Sequence, residues 1–288
     1  MIKWLITGLV LLAWPVWADS QTVALGDRSY VIDLPAQPAN APVILALHGG
    51  GGSPAQFARS SGFSAGATAA GYAVIYPAGV GRTRLLTWNA GYCCGYAQKT
   101  GSDDQGFLSA VIADASARFG LNGERIYLTG MSNGAMMAET FAALHPDHIR
   151  AVAAVSGTMD AKNVFPKRAV PLLIIHGTAD SHVQYQGGAG PDAKVDTNFA
   201  SVDAVIAAFM AINAPLVPSK HLIDPAKDGM SVQRTDYTDD TGQVQIRLLS
   251  VQGGGHVWPG GAGRKRKDEK TKDISANDQI LEFFALHR

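Results

Sequence analysis

Short apolar segments alternate with longer amphipathic segments along most of the chain. The short segments are rich in β-branched residues, and each ends in Gly, Pro or a polar residue; they lie at 43–47, 72–76, 125–128, 151–155, 172–175 and 245–251. Segments that are nearly all apolar are typical of strands buried on both faces of a sheet. The amphipathic segments, predicted to be helices, lie at 105–119, 133–144, 199–212 and 276–287. This alternation predicts an α/β fold in which helices cover both faces of a mostly parallel central sheet.

Other segments predict antiparallel strands at the edges of that sheet. Residues 231–237 and 243–251 flank a short polar sequence that is typical of a hairpin turn. Residues 21–34 form a second candidate pair of strands around a Gly-Asp turn. The chain has no internal repeat and no segment typical of a linker, so we expect residues 19–288 to form a single domain.

Residues 1–18 have the pattern of a signal peptide for export. Lys3 precedes an apolar stretch at 4–17, and the chain then reaches the small residue Ala18. A retained membrane anchor is the alternative, but Pro15 interrupts the stretch, which falls short of the roughly 20 apolar residues that cross a bilayer. We therefore expect residues 1–18 to be removed and the mature protein to be secreted or periplasmic.

The charged residues and the cysteines narrow the range of partners. Lysine plus arginine and aspartate plus glutamate each total 24, so no electrostatic feature points to nucleic acid or to an anionic membrane as a partner.

The two cysteines, Cys93 and Cys94, are adjacent. An oxidising compartment favours a vicinal disulfide between them, but the geometry of such a bond is unfavourable, and two reduced thiols are the alternative. The sequence carries no prediction of oligomeric state.

A candidate nucleophile, Ser132, lies in the sequence Gly-Met-Ser-Asn-Gly at residues 130–134. A predicted strand ends just before this sequence and a predicted helix begins within it, which is the setting of a nucleophile elbow. Glycine on both sides of the serine allows strand and helix to approach without clashes of Cβ atoms. The N-terminus of the helix also favours developing negative charge. Without partners elsewhere in the chain, a helix N-cap would be the preferred role of Ser132.

Candidate partners for this serine follow in the order Ser, Asp, His that the α/β-hydrolase fold requires. Asp180 follows the predicted strand 172–175, at the carboxyl end where the sites of such sheets collect. His256 lies in the glycine-rich segment after the last predicted strand. We therefore predict Ser132 as nucleophile, His256 as general base and Asp180 as the residue that orients the base. His176, which ends the strand before Asp180, is expected to be structural.

Two N–H donors are needed to bind the oxyanion of an acyl-transfer intermediate. The first candidate is the backbone amide of Asn133, directly after the nucleophile. The second comes from the loop after the third predicted strand, where His48 precedes a run of glycines that includes Gly49 and Gly50. A phosphate-binding loop is the alternative, but neither a Gly-Lys-Ser/Thr sequence nor dinucleotide-binding spacing is present. We assign Gly50 as the second donor, with Gly49 as the next candidate.

Together these motifs resemble the polyhydroxybutyrate depolymerase and feruloyl or acetylxylan esterase group of secreted α/β-hydrolases. The matching sequences are LHGGGGS at 47–53, WNAGYCCG at 88–95, SDDQGFL at 102–108, GMSNGAMM at 130–137, HGTAD at 176–180 and GGGHVWPG at 253–260. They span nearly the whole mature chain, in family order. The resemblance implies ester hydrolysis through an acyl-serine intermediate, with no metal and no cofactor. It also makes Trp88 and Trp258 candidate walls of the substrate pocket, with packing in the interior as the alternative.

Two departures from these relatives affect the expected substrate. The further cysteine pair that relatives often carry is absent from the sequence, and from its length we expect none of the substrate-binding and linker domains of many polymer-degrading relatives. We expect an ester substrate, namely feruloyl or acetyl esters of plant polysaccharide, with polyhydroxybutyrate or its soluble oligomers as the alternative. A more distant alternative is a non-catalytic binding protein on the same fold, because fold alone does not determine function.

Overall fold

The computed structural model describes residues 20–213, 215–262 and 268–288, and the predicted signal peptide, residues 1–18, lies outside these ranges. The strands are β1 (Gln21–Leu25), β2 (Arg28–Asp33), β3 (Pro42–Leu47), β4 (Ala73–Pro77), β5 (Asn122–Met131), β6 (Ile149–Val155), β7 (Leu172–Gly177), β8 (Val217–Ile223), β9 (Ser231–Thr238) and β10 (Val244–Gln252). The helices are α1 (Pro54–Ser61), α2 (Phe63–Ala69), α3 (Gly95–Lys99), α4 (Asp104–Phe119), α5 (Asn133–Leu144), α6 (Val202–Met210) and α7 (Ala276–Ala285).

The strands form one mixed sheet with a parallel centre. Their order across the sheet is β1-β2-β4-β3-β5-β6-β7-β10-β9-β8. The strands from β4 to β10 in this order pair in parallel, whereas β1, β2, β9 and β8 pair antiparallel at the edges. This arrangement confirms the predicted fold class. None of the helices that the structure describes is long and apolar enough to cross a bilayer.

Side chains of the central strands alternate between two apolar layers. In β3, Val43, Leu45 and Leu47 pack into the layer that holds residues of α4, α5 and α6. Ile44 and Ala46 pack into the layer that holds residues of α1, α2 and α7. All five side chains are buried. Burial on both faces explains why the central strands read as nearly continuous apolar segments, and it confirms that helices cover both sides of the sheet.

The structure also contains elements that the hydrophobic pattern did not predict. The helices α1, α2 and α3 are short, and α1 depends on a local cap in which Ser53 accepts a hydrogen bond from the Gln56 N–H. Strand β8 lies at the sheet edge with nearly all of its residues exposed, so it has no apolar segment to reveal it. Pro218 is tolerated in β8 because an edge strand has one side without ladder hydrogen bonds. The predicted helix at 199–212 begins later, at Val202, because its cap is Ser201.

One ion pair is buried where β9 and β10 lie side by side. Arg247 on β10 is 1% exposed, and its Nε donates to Oδ1 of Asp236 on β9 at 2.7 Å. The same guanidinium donates to the partly exposed Glu282 at 2.8 Å, and Asp236 also accepts from Arg234. Because water reaches these charges poorly, removing one partner leaves another charge uncompensated.

We expect the substitution Asp236→Ala to lower the free energy of unfolding by about 3 kcal/mol or more, because it leaves the buried Arg247 with only Glu282 as partner. Urea denaturation followed by circular dichroism measures this. The matched control is Asp147→Ala, which breaks an ion pair with Arg168 whose side chains are 68% and 72% exposed and should cost less than about 1 kcal/mol. Equal losses in the two variants would contradict the prediction.

Candidate active site

The sequence-predicted site residues collect at one edge of the sheet. Ser132 directly follows β5, Asp180 follows β7, His256 follows β10 and Gly50 follows β3. All four strands are in the parallel part of the sheet, so their carboxyl ends point the same way. The loops at this end of an open parallel sheet are where ligands bind.

Ser132 has the strained backbone of a nucleophile elbow. Its φ is 57° and its ψ is −125°, in a region that L-residues with side chains rarely adopt. The flanking glycines are required, because a Cβ on Gly130 would overlap the carbonyl of Gly134 and a Cβ on Gly134 would overlap the carbonyls of Leu47 and His48. The N–H of Ser132 donates to the carbonyl of Val155 at 2.9 Å, which attaches the elbow to the end of β6.

Asp180 holds the imidazole of His256. Its Oδ2 lies 2.8 Å from Nδ1 of His256, and its Oδ1 accepts from the backbone N–H groups of His182 and Val183, each at 2.9 Å. Burial acts to raise the pKa of Asp180, but the hydrogen bond and charge of His256, with His176 and the N–H of Val183, together outweigh burial, so the pKa lies below its ordinary value. Because an ionised carboxylate can only accept, we place a proton on Nδ1 of His256, which leaves Nε2 as the basic nitrogen.

The loop that carries His256 is attached to the same strand end as the elbow. The hydroxyl of Ser156, directly after β6, donates to the carbonyl of Val257 at 3.3 Å. Among the described residues, no hydrogen bond joins the hydroxyl of Ser132 to His256. Contacts between a nucleophile and its base often tighten only when substrate binds. The structure therefore brings Asp180 and His256 into direct contact and places Ser132 at the same edge without closing the last bond.

The candidate oxyanion donors are neighbours. A Cβ built on Gly50 would lie 3.7 Å from Cβ of Asn133, and one on Gly49 would lie 3.6 Å from Cβ of Ser132. Among the hydrogen bonds of the described residues, none uses the backbone N–H of Gly50 or Asn133. Two free N–H groups beside the nucleophile are the arrangement that an oxyanion hole requires.

The side chain of Asn133 fixes the position of these donors. Its Oδ1 accepts from the N–H of Trp88 at 2.7 Å, and its Nδ2 donates to the carbonyl of Trp88 at 3.0 Å. The indole N–H of Trp88 in turn donates to the carbonyl of His48 at 2.9 Å, and Nε2 of His48 accepts from the N–H of Gly79 at 3.0 Å. Burial lowers the pKa of His48 to about 4, so its ring is neutral near pH 7 and can accept.

The two tryptophans proposed as pocket walls do not face a pocket in the structure. Trp88 is 0% exposed, and the hydrogen bonds just described account for its indole. Trp258 is 5% exposed, packs edge-on against Phe57 and Phe63, and donates to Asn277 at 2.8 Å. Because neither ring presents a free surface, we correct both assignments to packing, which was the alternative role.

The adjacent cysteines belong to the scaffold behind the candidate oxyanion donors. Cys93 and Cys94 are buried and linked by a cis peptide bond, and their sulfur atoms are adjacent, the arrangement in which the predicted vicinal disulfide would form. The N–H of Cys94 donates to the carbonyl of Trp88 at 2.9 Å, the same carbonyl that Asn133 contacts. The Cys93–Cys94 turn therefore supports Asn133 through Trp88.

Sequence reasoning missed two contributions to the site. The ring of His182 stacks on His256 with centroids 4.7 Å apart and an interplanar angle of 21°. Asp104 forms an ion pair with Arg28 at 2.7 Å and accepts from the N–H of Asn89 at 2.7 Å, which fixes the residue after Trp88. Only the closeness of His182 to Asp180 in the chain could have signalled the first contribution, whereas the pairing of Arg28 with Asp104 is a long-range contact with no local signal.

His176 lies beneath the candidate triad. Its Nε2 lies 2.8 Å from the carbonyl of Val183 and 3.5 Å from Oδ2 of Asp180. Burial lowers the pKa of His176, although the negative charge of Asp180 acts to raise it. With the ring neutral and Nε2–H donating to Val183, His176 supports the loop that carries Asp180, in keeping with the structural role expected for it.

Residues 28–206 match the protein family described as esterase PHB depolymerase. The chain is 30% identical over 265 residues to the "Putative esterase NocK" of Nocardia uniformis subsp. tsuyamanensis, covering 86% of this chain and 75% of that protein. It is 32% identical over 160 residues to feruloyl esterase B of Talaromyces stipitatus, covering 52% of this chain and 44% of that protein. The aligned region thus spans less than half of that feruloyl esterase.

Solved structures of esterases have the same fold. The acetyl xylan esterase from Aspergillus awamori matches 93% of this chain and 99% of its own with a TM-score of 0.62, at 17% sequence identity. Esterase PE8 matches 89% of this chain and 97% of its own with a TM-score of 0.54, also at 17% identity. At this identity the likeness bears on the fold alone, and both neighbours are α/β-hydrolase esterases.

We expect Asn133→Ala to keep the backbone N–H but to lose both hydrogen bonds to Trp88. Leaving these buried groups unpaired should lower the free energy of unfolding by about 2 kcal/mol. The oxyanion donors should also shift, so kcat on a nitrophenyl ester should fall more than KM changes. Urea denaturation and steady-state kinetics measure the two effects. The control, Asn198→Ala, truncates an exposed amide and should leave stability and kcat unchanged. We call the two hydrogen bonds between the Asn133 side chain and the Trp88 backbone the clamp; a normal kcat and stability in Asn133→Ala would contradict its role.

Proposed function

We propose that this chain, an esterase that belongs to the esterase PHB depolymerase family, hydrolyses carboxylic esters through a covalent acyl-serine intermediate. The observation that carries the proposal is the 2.8 Å contact between Asp180 and His256 at the sheet edge where the strained Ser132 lies. Nucleophile, base and orienting carboxylate in this relation are the parts of a serine hydrolase triad.

Acylation begins when Nε2 of His256 takes the proton of the Ser132 hydroxyl as Oγ attacks the ester carbonyl carbon. The carbonyl oxygen becomes an oxyanion, which the N–H groups of Gly50 and Asn133 bind. The intermediate then collapses, the bond to the alcohol oxygen breaks, and the imidazolium of His256 returns the proton to that oxygen. Asp180 stabilises the imidazolium through Nδ1–H throughout this step.

Deacylation repeats the sequence with water as the nucleophile. His256 takes a proton from a water molecule while the water oxygen attacks the acyl carbon on Ser132. The oxyanion forms again in the same site, and collapse breaks the bond to Oγ while His256 returns the proton to it. The products are a free carboxylic acid and the regenerated serine, so the cycle needs no added group.

For the substrate we propose feruloyl or acetyl esters of plant polysaccharide, with soluble hydroxybutyrate oligomers as the second candidate. The name of the feruloyl esterase relative supports the first candidate, and the family description supports the second.

All strands of the described residues join one sheet, which supports a single domain over residues 19–288. We also propose that residues 1–18 direct export to the periplasm or beyond.

The substitution Ser132→Ala should lower kcat for a nitrophenyl acetate substrate by about 10⁴-fold or more, because it removes the nucleophile. The same variant should lose labelling by a fluorophosphonate probe, detected by intact mass. Ser109→Ala, which changes an exposed serine on α4, is the matched control and should keep both properties. Full turnover in Ser132→Ala would end the acyl-serine proposal, and absence of labelling in the unmodified protein would favour a non-catalytic binding protein.

A substrate panel separates the candidate acyl groups. We expect a higher kcat/KM on methyl ferulate or acetylated xylan than on hydroxybutyrate oligomers, and no release of acid from an insoluble polyester film. The order of the soluble substrates follows the feruloyl esterase relative, and hydrolysis of an insoluble film additionally requires a surface that binds many repeats. Ser132→Ala gives the blank for each substrate. A preference for the oligomers would reverse our order of candidates while leaving the mechanism in place.

A further inference from the structure

A second histidine lies against the candidate base. The ring of His182 stacks on that of His256 with centroids 4.7 Å apart, and Oδ2 of Asp180 lies 2.8 Å from Nδ1 of His256. One potential ligand atom from each of the three residues lies within 4.8 Å of the others. Two imidazoles and one carboxylate are thus gathered at a point where the proposed mechanism uses only one imidazole and the carboxylate.

The ring of His182 also has a nitrogen with nothing to bind. Its Nδ1 is shielded from solvent and has no hydrogen-bond partner, a state that costs free energy unless a ligand satisfies it. The surroundings favour a cation. Oδ2 of Asp268 accepts from the backbone N–H of His256 at 3.0 Å, and the carboxylates of Asp192 and Asp268 both act electrostatically on the His182 ring.

We propose that Asp180, His182 and His256 form a binding site for a divalent transition metal ion such as Zn²⁺, and that the ion inhibits the enzyme. Two histidines and a carboxylate are a ligand set that zinc uses in proteins, at bond lengths of about 2.0–2.2 Å. The candidate ligand atoms lie within 4.8 Å of one another, and rotation of the two stacked rings towards a common point would give such bonds. Mg²⁺ and Ca²⁺ prefer all-oxygen sites, so these ions should bind poorly.

Binding and catalysis would compete for the same groups. An ion held by His256 and Asp180 takes either the nitrogen that accepts the serine proton or the contact that orients the ring. In both cases the base is lost while the ion stays bound. This inhibitory part rests on the proposed serine esterase mechanism, whereas metal binding itself does not depend on it.

Direct binding is tested by isothermal calorimetry with ZnCl₂ and, separately, MgCl₂ in a buffer that does not chelate metals. Ser132→Ala should bind one Zn²⁺ per chain, as should the unmodified protein, and neither should bind Mg²⁺. The double variant Ser132→Ala with His182→Phe keeps a flat ring against His256 but should lose zinc affinity by at least about tenfold, the loss that removing even an indirect metal partner causes. His221→Phe, which removes an exposed histidine on β8, is the control and should bind zinc normally.

Inhibition is tested by hydrolysis of nitrophenyl acetate with Zn²⁺ or with EDTA, each variant being compared with its own rate in EDTA. Zinc should inhibit the unmodified protein and His221→Phe reversibly, and it should not inhibit His182→Phe at the same concentration. Zinc binding that is equal with and without His182, or absent from the unmodified protein, would overturn the site. Zinc binding that requires His182 but causes no loss of turnover would overturn the inhibitory role alone. If the protein had no esterase activity, calorimetry would still measure zinc binding.

Discussion

At Gly134 the first turn of α5 lies against the carbonyl oxygens of Leu47 and His48, and no side chain fits between them. This contact sets the distance between the nucleophile elbow and the glycine loop after β3. Because both segments are anchored to neighbouring parallel strands, neither can move away without disturbing the pairing of β3 with β5. The candidate oxyanion donors are therefore placed by the packing of backbone on backbone, which tolerates no change of size at that point.

The clamp between Asn133 and Trp88 extends this constraint into the loop after β4. The side-chain amide of Asn133 and the backbone N–H and carbonyl of Trp88 are buried, so these polar groups must pair with each other and not with water. The backbone carbonyl of His48 accepts from the indole of Trp88, and the backbone N–H of Cys94 donates to the carbonyl of Trp88, so both segments are attached to this unit. A strained residue such as Ser132 persists only where its surroundings determine its conformation, and this network of paired buried groups does so on one side of it.

The parts of the fold that the sequence predicted are those with a local signal. Strands buried on both faces must be apolar throughout, so the central strands were visible as short apolar segments, and the helices at α4, α5 and α7 were visible by their periodicity. The order of Ser132, Asp180 and His256 and the glycines beside them gave candidate roles, which stay predictions until tested. Burial of Trp88 and the stacking of His182 on His256 depend on contacts between distant segments, and an exposed edge strand such as β8 has no hydrophobic pattern to detect.

The geometry that suits His256 for proton transfer also suits it for metal binding. A basic imidazole nitrogen beside an ionised carboxylate is what a general base requires, and the same pair supplies two of the three protein ligands of a zinc site. Here the backbone N–H of His182 orients Asp180, and the turn that makes this bond also carries the His182 ring onto His256. The residue that helps to hold the carboxylate therefore supplies the third ligand, so orientation of the triad and sensitivity to metal follow from one turn of the chain.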